Sequence, residues 1–201
     1  MKYIICFLSI FFFSSISNSQ ITKPIHFQNQ NNQVSNKESF LLGLPDNSML
    51  MVWYARDSTQ SGKLNSAKST DNGLTWGSTN LIMEFSEALP VDINLIILNS
   101  GRILLTFKNY SYKMLYSDDN GNSWQGYSNV PTFTSTVMRT KVGCTSLSKL
   151  NDGSAIFVFS YNTSPNTDTI TNERIYYIRS DVNGTNWTAN KLIDSSGVNG
   201  N

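Results

Sequence analysis

Ten charged or phenolic residues stand where a binding mouth could receive them. Lys37, Glu38, Asp92 and Arg139 precede apolar runs, and Arg56, Asp57, Lys108, Tyr110, Glu173 and Arg174 lie at or beyond the ends of others. A carboxylate can move protons in a transition state, and a guanidinium can hold an anion through two parallel hydrogen bonds. Each residue also has the plain alternative of being a solvated loop charge, so its position in the fold decides. The chain offers little other chemistry. Its one histidine, His26, lies ahead of the first apolar run and reads as a surface residue. Cys6 falls in the N-terminal apolar stretch, leaving Cys144 as the one cysteine of a processed chain, which rules out an internal disulfide or a Cys-based metal site there. Cys144 itself reads as a small buried hydrophobe. No metal, nucleotide or redox cofactor is implied.

The elements that must position these residues are strands. Three segments carry a related turn: Ser69-Thr-Asp71-Asn-Gly73-Leu-Thr-Trp76, Ser117-Asp-Asp119-Asn-Gly121-Asn-Ser-Trp124 and Ser180-Asp-Val-Asn-Gly184-Thr-Asn-Trp187. The aspartate can accept hydrogen bonds from its own turn, the glycine tolerates positive φ, and the tryptophan adds a large apolar ring beside a sheet. The third copy has Val182 where the first two have aspartate, which predicts a looser turn. A second repeat runs in step with the first, as hairpin turns at 44–48, 98–102 and 150–154 between apolar runs. Together they predict units of four antiparallel strands, the second and fourth flanked by these turns, repeated along residues 36–193. The fold class is therefore all-β, a β-propeller of four-stranded blades with about three blades present. The two kinds of turn share one face, which is structural, and the ten residues above share the opposite face.

These turns resemble the Asp boxes of the sialidase superfamily (BNR repeats), with Ser69, Asp71, Gly73, Trp76, Ser117, Asp119, Gly121, Trp124, Ser180, Gly184 and Trp187 as the residues that carry the likeness. The resemblance implies a ring of about six blades, of which this chain would hold about half, and so a partial chain with open blade edges available for self-association. It also implies a glycoside hydrolase acting on terminal sugars of glycans. Members bind a substrate carboxylate with three arginines and use an aspartate as acid/base beside a tyrosine–glutamate nucleophile pair. The Ala55-Arg56-Asp57 stretch is similar to the region where an arginine and the acid/base aspartate occur, giving Asp57 that role; Arg139 is a candidate ligand arginine, and Arg56, Arg174 and Tyr110 are further substrate-binding candidates on the mouth face. The lead-in to the first blade, Asn36-Lys37-Glu38-Ser39, departs from the Arg-Ile-Pro-like motif of the family. Residues 92–109 are similar instead to the second blade of exo-arabinanase-like propellers, with Lys108 and Tyr110 in place of an arginine and a histidine. That likeness implies paired carboxylates working on a sugar, with Asp92 and Glu173 in those roles. A non-catalytic propeller that binds glycans or proteins, and a degenerate product without a stable fold of its own, remain open beside the enzyme.

The rest of the chain bounds the setting. Lys2 followed by an apolar run to Phe13 and a polar stretch to Gln20 reads as a secretory signal peptide over residues 1–19, and residues 20–35 as a polar segment. A cleaved leader makes the protein secreted or extracellular, and not an integral membrane protein. The formal net charge is +1 with 14% charged residues, so no basic stripe suits a nucleic-acid partner. Four N-x-S/T sequons, at Asn109, Asn162, Asn183 and Asn186, matter only in a cell that N-glycosylates.

Overall fold

The structure, a computed structural model, describes residues 33–57, 61–86, 91–109, 111–130, 145–162 and 173–194. Among them are twelve strands and no helix. β1 (Gln33–Gly43), β2 (Met49–Asp57), β3 (Gly62–Ser69) and β4 (Asn80–Phe85) make the first blade. β5 (Val91–Ile97), β6 (Ile103–Asn109), β7 (Ser111–Ser117) and β8 (Gln125–Asn129) make the second. β9 (Thr145–Lys149), β10 (Ala155–Asn162), β11 (Glu173–Arg179) and β12 (Lys191–Asp194) make the third. Every neighbouring pair is antiparallel and each blade runs in sequence order, so the meander predicted from the alternation of apolar runs and turns is the fold observed. The signal peptide, His26, Tyr110, Arg139 and Cys144 lie outside the described residues.

The first strands lie side by side, β1 against β5 and β5 against β9, so the blades stack face to face. This explains why β6 reads Ile-Leu-Leu-Thr-Phe without polar alternation. Ile103, Leu105 and Phe107 pack with Leu50, Val52, Tyr54 and Leu64 of blade 1, whereas Leu104 joins Leu147, Phe157 and Phe159 of blade 3. Edge-on ring contacts seal both joints, Phe85 with Phe107 at 5.7 Å and Tyr112 with Phe157 at 5.3 Å between centroids. Each such buried side chain contributes about 1.5–3 kcal/mol, so the two inter-blade cores dominate the stability of the stack.

The hairpins are built alike. Leu44, Leu98 and Leu150 each donate a backbone N–H to the carbonyl four residues on, at 2.8 Å. The fourth residue of each turn, Asn47, Gly101 or Gly153, has positive φ, which asparagine and glycine accept most readily. Because β1 ends and β2 begins at these hairpins, as β3 ends and β4 begins at the aspartate turns, all six turns fall on one face. The ends of β2, β6 and β10 and the starts of β1, β5 and β9 fall on the other.

Candidate functional site

On the turn face the aspartates are fixed by short local bonds. Asp71 accepts from the Thr75 N–H at 2.8 Å and from the Thr75 and Ser69 hydroxyls, while Ser69 Oγ accepts from the Gly73 N–H at 2.8 Å. Asp119 repeats the pattern with the Ser123 N–H at 2.8 Å, the Ser123 and Ser117 hydroxyls, and the Gly121 N–H on Ser117 Oγ at 2.8 Å. The side-chain bond from Thr75 or Ser123, followed by the backbone bond from the same residue, holds each carboxyl at about 2. These groups are spent on structure.

The third turn corrects the sequence reading. Val182 does not loosen it, because Asp181 takes the role one residue earlier, accepting from the Thr185 N–H at 2.9 Å and the Thr185 hydroxyl at 2.8 Å. Partial burial opposes ionisation of Asp181, but the bonds from Thr185 and Asn186 outweigh it and hold the carboxyl below its ordinary range. Ser180 Oγ donates to the Asp181 carbonyl at 2.6 Å and accepts from the Ala155 N–H at 2.8 Å, tying the turn to β10. The signal was present in the spacing: Asp71–Thr75, Asp119–Ser123 and Asp181–Thr185 all stand four apart. Counting from the serine hid it.

The turns also join blades. A Cβ on Gly121 would lie 2.7 Å from Leu50 Cδ2, and one on Gly184 would lie 2.9 Å from Leu98 Cδ1 and 3.0 Å from Leu104. Each glycine is thus pressed onto the preceding blade. Arg102 adds a clamp, binding Asp118 through Nε at 2.7 Å and Nη2 at 2.8 Å, reaching the Asn183 carbonyl of the third turn at 3.1 Å, and lying 4.3 Å over the Tyr116 ring.

The opposite face is where the polar side chains are left for other work. Glu38 and Asp92 occupy matching places in β1 and β5, each at a register shift, with φ of 44° and 56°. Left-handed conformation in a side-chain-bearing residue costs energy, and such bulges recur beside binding sites. The two are joined across the blades, since Glu38 Oε2 accepts from the Asp92 N–H at 2.7 Å. Asn94 Nδ2 then donates to the Asp92 carbonyl at 2.9 Å and to Thr145 Oγ1 of blade 3 at 3.0 Å. One polar chain therefore runs across three inner strands. Lys108, half-buried at the end of β6, is pushed below its ordinary pKa by burial and held up in part by the Asp92 charge.

Arg56, at the end of β2, and Arg174, at the start of β11, are half-buried, and the Nε of each is buried without a hydrogen-bond partner among the described residues. Asp57 closes β2 opposite Gln33, and Glu173 opens β11 opposite Asn162, both at the mouth end. Asp92 is thus brought together with Glu38 and Lys108, and among the described residues no ion pair joins it to Arg56 or Arg174. The Asn94–Thr145 link was missed by sequence reading, because it joins a polar residue inside an apolar strand to one 51 residues away at the start of β9.

No family model matches the chain, and no curated protein matches its sequence. Solved structures do. An α-L-arabinofuranosidase from Fusarium graminearum, seen with an iminosugar inhibitor, is 17% identical, with a TM-score of 0.59 over 78% of this chain and 50% of that one. A Hadza microbial sialidase is 14% identical, with a TM-score of 0.64 over 81% of this chain and 38% of that one. This chain has the sialidase-like propeller fold. An ulvan lyase seen bound to its glycan shares the propeller blades at 11% identity and a TM-score of 0.51 over 76% of this chain and 42% of that one. The propeller blades here span about half the length of the arabinofuranosidase and less of the other two.

Proposed function

We propose that the chain is a secreted, sialidase-like glycoside hydrolase that receives the terminal sugar of a glycan on the face opposite the turns. One observation carries this reading: Glu38 and Asp92 are held in left-handed bulges of adjacent inner strands and linked at 2.7 Å. Strain of that kind persists only where surrounding structure enforces it, and it clusters at binding and catalytic sites. Asp92, with Lys108 beside it, is the first candidate for a carboxylate acting on the glycosidic bond, and Glu173 the candidate partner from blade 3. Arg56 and Arg174 supply donors for sugar hydroxyls or for an anionic substituent. Asp57 stands next to Arg56 as an alternative acid. The likeness in fold to two glycosidases and a polysaccharide lyase supports a carbohydrate as the ligand.

Glu38 favours a second reading of the sugar. It puts a carboxylate at the first-blade lead-in, and like charges repel, so an uncharged furanoside suits the mouth better than an acidic sugar. A panel of fluorogenic sialosides and arabinofuranosides tests both readings on the full chain. Turnover of the furanoside alone supports the second reading, and turnover of the sialoside supports the first. Saturable glycan binding without turnover of any member overturns the hydrolase and leaves a binding module.

A further inference from the structure

The two joints between blades differ just behind the mouth. Between blades 1 and 2 the inner positions are apolar. Phe40 of β1 stands opposite Val52 of β2, and it packs against the core that holds Val52 and Ile93 of β5. The matching positions between blades 2 and 3 are Asn94 of β5, opposite Thr106 of β6, and Thr145 of β9. Phe40 and Asn94 each lie two residues beyond the strained carboxylates Glu38 and Asp92, while Ile93 and Thr145 each lie five before a hairpin leucine. All three places have changed from apolar to polar. Thr106 is fully buried, with its hydroxyl unpartnered among the described residues. Polar groups in a joint that the same fold fills with hydrocarbon cost stability unless their bonds are made.

Where the Asn94 bonds go explains the exchange. A carboxamide has two N–H hydrogens to donate. Asn94 Nδ2 gives them to the Asp92 carbonyl at 2.9 Å and to Thr145 Oγ1 at 3.0 Å. The Asp92 N–H is already held by Glu38 Oε2 at 2.7 Å. Asp92 is therefore gripped on both sides of its Cα, from blade 1 directly and from blade 3 through Asn94. Its φ of 56° is one that a residue with a Cβ keeps only when held. With the backbone fixed, only two side-chain torsions remain to place the carboxylate.

We infer, on the proposed hydrolase reading in which Asp92 acts on the glycosidic bond, that Asn94, anchored by Thr145, is the positioning residue for that carboxylate. Without the Asn94 bond the Asp92 carbonyl is free to turn, the bulge relaxes and the carboxylate moves out of line. A displacement of about 1 Å costs up to about 100-fold in rate. Asn94 acts through Asp92 and not on the sugar, so its loss lowers kcat and kcat/KM together and leaves KM in place.

Turnover of fluorogenic arabinofuranosides and sialosides by the full chain tests this, with Asp92→Asn as the reference. Asn94→Leu restores hydrocarbon as at Phe40 and removes the donor. It is expected to lower kcat by about 10- to 100-fold, with KM and the unfolding midpoint unchanged. Thr145→Val removes the anchor from the other blade and should lower kcat in the same direction, whereas Thr145→Ser keeps the acceptor and wild-type turnover. Thr106→Val replaces an unpartnered hydroxyl in the same joint and should leave kcat in place. Wild-type kcat in both Asn94→Leu and Thr145→Val, beside an inactive Asp92→Asn, overturns the inference alone. So does a kcat that falls only in step with the unfolding midpoint, or Thr145→Ser as slow as Thr145→Val. A folded wild type that turns over no glycoside, or an Asp92→Asn as active as wild type, overturns the hydrolase reading and the inference with it.

Discussion

Replacing Gly121 with alanine separates backbone strain from inter-blade packing, and Gly101 provides the reference. Their φ values are close, 80° and 86°, so an added Cβ costs about 1–2 kcal/mol of left-handed strain at either site. The surroundings differ. A Cβ on Gly101 meets nothing within 4 Å, whereas one on Gly121 falls 2.7 Å from Leu50 Cδ2 and 3.1 Å from Cδ1. Leu50 is fully buried between blades and cannot swing away, so overpacking adds about 1–3 kcal/mol. Gly121→Ala is therefore expected to cost about 2–5 kcal/mol and Gly101→Ala about 1–2 kcal/mol. Urea unfolding reads both as shifts of midpoint at constant slope. Adding Leu50→Ala to Gly121→Ala makes room for the new methyl, so the double variant should lose about 1–2 kcal/mol less than the sum of the singles. Equal losses for the two glycine variants, or strict additivity in the double, would refute the role assigned to the turn as an inter-blade plug.

Three further outcomes follow from the turn face. Asp181→Ala removes the bonds to Thr185 and Asn186 and should cost about 1–2 kcal/mol, while Val182→Asp, beside an occupied role, should change the unfolding midpoint little. Asp71 and Asp119 have folded-state pKa values lowered to about 2, so the stability they contribute is full above the ordinary carboxylate range of about 4 and is lost as pH falls through about 2. Thermal melts between neutral and acid pH should show that limb, and the Asp71→Asn/Asp119→Asn pair should flatten it. Arg102→Lys breaks the two-pronged bond to Asp118 and the reach to Asn183, so it should cost about 1 kcal/mol in a melt, nearly as much as Arg102→Ala.

Most of the fold was legible because two punctuation systems agreed. The turns at 44–48, 98–102 and 150–154 and the Ser-to-Trp turns each fix where a strand ends, and the apolar runs between them have strand length. The weak fourth strands, β4, β8 and β12, could be found for the same reason. The candidate site was legible only in outline. Turn positions assign Glu38, Asp92, Lys108, Arg56 and Arg174 to one face, yet the bond from Asp92 to Glu38 spans 54 residues and depends on two bulges that leave no mark in composition. The third turn was misread because an aspartate can serve from either of two adjacent positions when the glycine stays in place. The inter-blade joint was hidden for another reason. Leu50 and Leu104 read as ordinary core residues until the glycine above each is seen.

Hydrolysis of a fluorogenic glycoside by the full chain, wild type beside Asp92→Asn, tests the central claim most directly, because Asp92 links the strained inner strands to the chemistry assigned to the mouth. Neutralising that carboxylate while keeping its shape is expected to cut kcat by about 100-fold or more and to leave the unfolding midpoint in place. Equal turnover by the two proteins, or no turnover of any glycoside by a folded wild type, would contradict the account.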